Sequence, residues 1–195
     1  MNQITLKDYT NNFYSDFEKK DLPLPGEHHF VSVFLLPLLY KVTQNTPDYV
    51  NPDGTKDLPG DIIYNFNKEE ALSIEVKYQV IRLTKKEYND WIVKYTKENI
   101  PDLFIGFGSR GMLVCNWEEF VELYKESIGV SKKNDDLSTI KSGYGPTKSM
   151  NVLIDFLKDN VKDYENVSVF DSSSTNEEIE KKLKAYFSNI SKELV

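Results

Sequence analysis

Two carboxylates and an amine, Asp61, Glu75 and Lys77, are spaced in this chain so that a folded-back pair of strands could bring them around one divalent cation and a water. Gly60-Asp61-Ile62-Ile63-Tyr64-Asn65-Phe66 reads as a short strand, and Leu72-Ser73-Ile74-Glu75-Val76-Lys77-Tyr78-Gln79-Val80 alternates apolar and polar as a half-buried strand does. Side chains alternate with period two, so Leu72, Ile74, Val76, Tyr78 and Val80 face one way and Ser73, Glu75, Lys77 and Gln79 the other. A hairpin centred on Lys68 sets Asp61 directly opposite Glu75, with Cβ atoms about 4.5 to 5.5 Å apart. Carboxylates at that separation can share one Mg²⁺, whose oxygen ligands lie at about 2.0 to 2.1 Å. Lys77 projects to the same side.

The rest of the chain sets what such a site could belong to. At 195 residues it fits one ordinary domain with a substantial core. Hydrophobic residues make up 39% and aromatics 13%, enough for a globular fold and against wholesale disorder. The single cysteine, Cys115, lies in the apolar run Met112-Leu113-Val114-Cys115 and reads as a buried small hydrophobe, so no disulfide framework is expected. The first residues lack a signal-peptide design, and no apolar stretch approaches the roughly 20 residues of a membrane helix. The expectation is a soluble cytoplasmic protein without a membrane partner.

A net charge of −7 argues against a nucleic-acid partner. The distribution weakens that objection: acids outnumber bases 8 to 5 over residues 1 to 60 and 9 to 6 over 151 to 195, but 61 to 100 hold 7 of each. A basic face could form from Lys85, Lys86, Lys94, Lys132, Lys133, Lys141 and Lys148, and a solvated mixed-charge surface accounts for the same lysines.

The elements that must position the trio can be placed in turn. Leu6, Tyr9, Phe13 and Phe17 recur at helical spacing over about residues 3 to 20, ended by Pro23-Leu24-Pro25-Gly26. Residues 27 to about 43 form a strongly apolar second helix that Pro37 should kink or shorten. Thr84-Lys85-Lys86-Glu87 has the capping-box pattern for a helix to about 98. Residues 102 to 107 and 112 to 115 are strands joined at Gly108-Ser109-Arg110-Gly111, and Asn116 caps a helix to about 127. Residues 129 to 147 form a long loop, 148 to 161 a helix, 167 to 170 a short edge strand, and 176 to 194 a charged terminal helix. The expected architecture is an α/β sandwich around a mixed sheet of four to five strands, as one domain with its core at about 27 to 127.

Helix, hairpin bearing Pro59-Gly60-Asp61 and Glu75-Val76-Lys77, helix and further strands: in this order the chain resembles the PD-(D/E)XK superfamily, the restriction-endonuclease-like nucleases, over roughly residues 27 to 127. The family pattern places Pro immediately before Asp, whereas Gly60 intervenes here, and Asp57 is a weaker substitute for Asp61. The resemblance implies metal-assisted phosphodiester hydrolysis. Asp61 and Glu75, with the Val76 carbonyl, would hold Mg²⁺ or Mn²⁺, and Glu27, matching a helix Glu of many members, would anchor the water or a second metal. Lys77 would orient the water or stabilise transition-state charge, its pKa depressed by the neighbouring metal. Gln79 would contact substrate.

The Glu-x-Lys triplet occurs three times, but Glu18-x-Lys20 and Glu180-x-Lys182 fall in expected helices, where residues two apart do not share a face. The bland alternative for Glu75 and Lys77 is a surface pair on the solvated face of a strand. His28-His29 resembles a metal pair, but adjacent helical residues diverge and no third ligand is suitably spaced. Gly106-Phe107-Gly108-Ser109-Arg110-Gly111 joins two strands, as a hairpin turn does. Lys141-Ser142-Gly143-Tyr144-Gly145-Pro146-Thr147-Lys148 could be a DNA-contacting loop or a plain connection, with Lys141 and Lys148 as its contact residues. Arg82 and Arg110, the only arginines, are the first candidates for reading guanine in the major groove. The function expected is a Mg²⁺-dependent DNA endonuclease, restriction-enzyme-like or of a junction-resolving or repair type, acting as a homodimer. The alternative is a non-catalytic nucleic-acid- or protein-binding module on the same fold, in phage defence or counter-defence.

Overall fold

A computed structural model describes residues 4–12, 26–51, 60–64, 71–83, 85–93, 100–130, 148–160 and 166–190. A short, widely wound helix α1 (Asp8–Asn12) opens with Asp8, whose carboxylate accepts hydrogen bonds from the Thr5 N–H and hydroxyl, both at 2.8 Å. Phe13 and Phe17, which the helical spacing included, lie outside the described residues. Glu27–Phe30, Val31–Leu35 and Leu36–Thr43 run on as one helix, α2, whose middle stretch has the wider π winding. Pro37 has no N–H to donate and its ring crowds the preceding turn. The wide turn before it absorbs that conflict, so the helix is neither stopped nor shortened there and ends at Gln44, whose φ is 56°.

Strands β1 (Tyr49–Val50), β2 (Ile62–Tyr64), β3 (Leu72–Tyr78) and β4 (Val80–Ile81) follow, then helix α3 (Lys85–Glu87 continuing as Tyr88–Val93). Next come β5 (Leu103–Gly108), β6 (Gly111–Asn116) and helix α4 (Trp117–Val130). The described chain closes with β7 (Lys148–Ser149), helix α5 (Met150–Asn160), β8 (Val167–Phe170) and helix α6 (Asn176–Ile190). Among the described residues the main sheet has six strands in the order β1-β2-β3-β5-β6-β8, and β4 with β7 makes a separate pair. Within the main sheet β3 and β5 are parallel and every other neighbouring pair is antiparallel. The expectation of four to five strands fell short because β1, two residues beside a turn signal, is too brief to show periodicity.

Helices cover both faces. Leu72, Ile74 and Val76 of β3, with Leu103, Ile105 and Phe107 of β5, pack under α2 and α6. Phe104, Leu113 and Cys115 point to the other face and pack under α3, α4 and α5. Leu6 and Tyr9 at one end of the chain, and Ile179, Leu183 and Phe187 at the other, belong to the first core, which therefore reaches well past residue 127.

Candidate functional site

Ile62 stands opposite Ile74, Ile63 opposite Ser73 and Tyr64 opposite Leu72. These pairs share the midpoint 68 of the expected hairpin, but the paired register ends at Ile62↔Ile74, so Asp61 lies just beyond it and is not a ladder partner of Glu75; Lys68 itself lies outside the described residues. Asp61 sits just before β2, pinned by its N–H on the Ile74 carbonyl (2.9 Å) and by the Asn51 N–H on its own carbonyl (2.7 Å). The glycine before it has a steric reason. A Cβ on Gly60 would lie 2.9 Å from the Ile74 carbonyl oxygen and 3.1 Å from that residue's C and N, a backbone contact no side-chain adjustment relieves.

Among the described residues no ladder pair of β2 with β3 follows Ile62↔Ile74, and β3 continues to Tyr78 with N–H groups still directed to that side. Carboxylates take them. Asp61 Oδ2 accepts the Val76 N–H at 2.7 Å, and Glu27 Oε2 accepts the Tyr78 N–H at 3.1 Å. A strand residue sends its N–H and C=O to the same neighbour, so the Val76 carbonyl projects to the same open edge. Glu27 is held there by the turn that follows it. Phe30 stacks on Phe107 at 4.9 Å between ring centroids and Phe107 stacks on Tyr78 at 5.2 Å, clamping the start of α2 to the end of β3.

Lys77 completes the group. Its Nζ forms a close ion pair with Glu75 Oε1 and lies 3.8 Å from Asp61 Oδ2. Glu75 is 3% exposed, Asp61 5% and the Lys77 side chain 14%. These residues therefore do not form the solvated face of a strand, because helices cover that face as well. Burial first, then the charges of Glu75 and Glu27, push the Asp61 carboxyl well above its usual range against the opposing pull of Lys77. The Glu75 carboxyl is raised chiefly by burial, with Lys77 opposing and Glu87 of α3 adding repulsion. For Lys77, burial alone would lower the pKa, but Glu75, Asp61 and Glu27 together outweigh it and raise it. The depressed lysine expected beside a bound metal is thus not the state of the protein with these carboxylates facing the ammonium.

Among the described residues no three His, Cys, Asp or Glu side chains are gathered as a ready metal cage. The ammonium stands between the carboxylates instead. The donor set nevertheless fits a hard divalent cation: buried carboxylate oxygens, a strand carbonyl on the same edge, and more negative charge than one lysine neutralises.

Comparisons of the chain with protein-family models, with curated proteins and with solved structures return no match.

The other expected site residues are more dispersed. Gln79 does not continue the polar face of β3, because its backbone turns left-handed at φ 64° and ends the strand. Its N–H donates to the Phe107 carbonyl (2.6 Å) and its carbonyl accepts the Met150 N–H (2.9 Å), tying β3, β5 and α5 together. Arg82 is exposed just after β4. Arg110 is in the β5–β6 turn, with one guanidinium nitrogen paired with Asp155 of α5 in a largely exposed contact. Lys141 and Asp57 lie outside the described residues, and Lys148 forms β7 opposite Ile81, where a helix was expected to start. Among the described residues His28 and His29 gather no third ligand, and His29 Nδ1 meets the Tyr9 hydroxyl at 3.1 Å. The glycine-rich stretch is a hairpin turn, as its strand-to-strand placement indicated.

Residue reading missed Glu87, whose role depends on α3 folding back over Glu75. It also missed Gly106, level with Lys77 in the neighbouring strand, where a Cβ would lie 2.4 Å from Met150 Sδ and 2.3 Å from its Cε. The Gly106-Phe107-Gly108 run was a signal for that close approach, but nothing local named Met150 as the occupant. No helix among the described residues is long and apolar enough to cross a membrane.

Proposed function

We propose that this protein is a Mg²⁺-dependent DNA endonuclease of the PD-(D/E)XK, restriction-endonuclease-like kind, acting as a restriction enzyme or as a junction-resolving or repair nuclease. One observation carries the reading: Asp61, Glu75 and Lys77 converge on a buried strand face while Glu27 closes the open edge beside them. Asp61 and Glu75, with the Val76 carbonyl, are the residues that would hold Mg²⁺, and Mn²⁺ suits the same oxygen donors. When bound, the cation polarises a phosphoryl oxygen and lowers the pKa of its water. Glu27 orients the attacking water from the edge. Lys77, an ammonium among carboxylates, donates hydrogen bonds and stabilises the negative charge that grows as the P–O bond breaks. Arg82, Gln79, Lys141 and Lys148 are proposed to meet the DNA, and cleavage of both strands calls for a homodimer with two such sites.

The acidic net charge of −7 favours a second reading, a binding module without catalysis. Incubation of supercoiled plasmid with and without Mg²⁺, for wild type, Asp61→Ala and Lys77→Ala, separates the two. The nuclease reading expects metal-dependent nicking that either substitution cuts by about a hundredfold or more. Nicking that survives both substitutions refutes the site, and folded wild type that cleaves neither DNA nor RNA supports the binding module.

A further inference from the structure

Lys77 stands against the two carboxylates that would hold a cation. Its Nζ pairs with Glu75 Oε1 and stands 3.8 Å from Asp61 Oδ2, the same carboxylate that accepts the Val76 N–H. A cation held at about 2.0 to 2.1 Å by both carboxylates would share their oxygens with that ammonium, and two positive charges at such range repel strongly. We infer that Lys77 is the resident counter-ion of the site and that a divalent cation enters only by displacing its ammonium from Asp61 and Glu75. This rests on the metal-dependent reading above and adds to it a competition within the chain itself. The surroundings permit the movement. Lys77 is the most exposed of the trio, at 14%, and its neighbour in β5, Gly106, carries no side chain. The space above Gly106 is filled by the Met150 thioether, a flexible side chain that repacks readily. Displacement also frees the ammonium donor that Glu75 now holds, so that it can be directed to a phosphate.

The test measures Mn²⁺ binding to the full chain by electron paramagnetic resonance, without nucleic acid, for wild type, Lys77→Met and Glu75→Gln. Lys77→Met keeps an unbranched side chain one atom shorter and removes its charge. The expected result is binding about tenfold tighter or more in Lys77→Met than in wild type, and loss of binding in Glu75→Gln. Equal or weaker binding in a folded Lys77→Met overturns the competition while leaving the metal reading standing; absence of binding in both proteins overturns both. A second measurement needs no variant: in wild type, the ¹⁵N signal of the Lys77 ammonium should shift and broaden as Mg²⁺ is added. An ammonium signal that stays unchanged at saturating Mg²⁺ overturns the inference.

Discussion

Neutralising the buried trio should make the metal-free protein more stable. In Asp61→Asn/Glu75→Gln/Lys77→Met each side chain keeps its approximate size, and an Asn at 61 can still accept the Val76 N–H that Asp61 takes at 2.7 Å. What disappears is the desolvation of two carboxylates, 5% and 3% exposed, and of an ammonium that repays only part of it. Replacing buried ion clusters by neutral groups typically gains about 1 to 4 kcal/mol, whereas removing one partner and leaving the others charged costs about 3 to 5 kcal/mol. The triple variant should therefore gain about 1 to 4 kcal/mol, and Lys77→Met alone should lose about 3 to 5 kcal/mol at neutral pH. The pH dependence has a definite sign. The Asp61 and Glu75 carboxyls are raised, so the folded protein binds more protons than the unfolded chain, and this contribution is complete at acid pH and lost as the pH rises through their elevated values. The deficit of Lys77→Met should accordingly shrink as the pH is lowered from neutral toward the ordinary carboxyl range. Urea unfolding in the presence of chelator, at several pH values, measures all of this. A triple variant less stable than wild type, or a Lys77→Met deficit that grows toward acid pH, would refute the reasoning.

Gly60→Ala should lower both stability and any metal-dependent activity, because a Cβ placed 2.9 Å from the Ile74 carbonyl must push Asp61 off β3. A loss of about 1 to 3 kcal/mol is expected from unfolding curves, and an unchanged midpoint would mean the backbone yields there. Gln79→Gly should gain about 0.5 to 1 kcal/mol, since the left-handed φ of 64° costs a side-chain-bearing residue roughly 1 to 2 kcal/mol and glycine's unfolded-state entropy returns part of it. Chemical denaturation decides it, and destabilisation would show that the Gln79 side chain outweighs the strain. Burial pushes the Tyr64 and Tyr186 hydroxyls up to about 12, so the stability they contribute is complete below pH 10 and falls as the pH climbs from there to 12. Each can lose up to about 2.7 kcal/mol over that range, which unfolding curves with tyrosinate absorbance will follow; equal stability at both ends contradicts it.

Much of the site was legible because β3 carries a strict alternation and because antiparallel register follows from a midpoint. Ile62↔Ile74 and Tyr64↔Leu72 share the expected midpoint, and Asp61, one residue beyond the last pair, reaches the Val76 N–H and the Lys77 ammonium. Burial of the polar face was not legible, since Ser73, Glu75 and Lys77 alternate in the same way whether water or a helix lies above them. The decision comes from α3, α4 and α5, whose apolar residues are distant in sequence. Gln79 offered no local signal either. Nothing in its type demands a left-handed backbone, which is imposed by the Phe107 carbonyl on one side and the Met150 N–H on the other. Glu27 was legible at the helix start, but its contact with the Tyr78 N–H depends on the Phe30, Phe107 and Tyr78 rings, aligned only in three dimensions.

Several departures from ideal geometry fall on the elements that frame the trio. Gly60 is jammed against Ile74, Gln79 is left-handed, α2 is widely wound one turn after Glu27, and β3 runs past the paired part of β2 with carboxylates in place of a partner strand. A sheet selected for stability alone would extend β2, pair Val76 and Tyr78 with backbone, and fill positions 61, 75 and 77 with apolar side chains. Here the open edge instead collects carboxylate oxygens and leaves the Val76 carbonyl directed toward them. Such concentrated expense is what an active or binding site requires when the scaffold around it is otherwise regular. The same comparison weighs against Asp102 as a second centre. Its carboxyl is also raised by burial, yet its Oδ2 is saturated by the Ser73 N–H at 2.7 Å and hydroxyl at 3.0 Å, bonds that join the starts of β3 and β5. Asp102 joins two strands through Ser73, whereas among the described residues Asp61 and Glu75 face the Lys77 ammonium together.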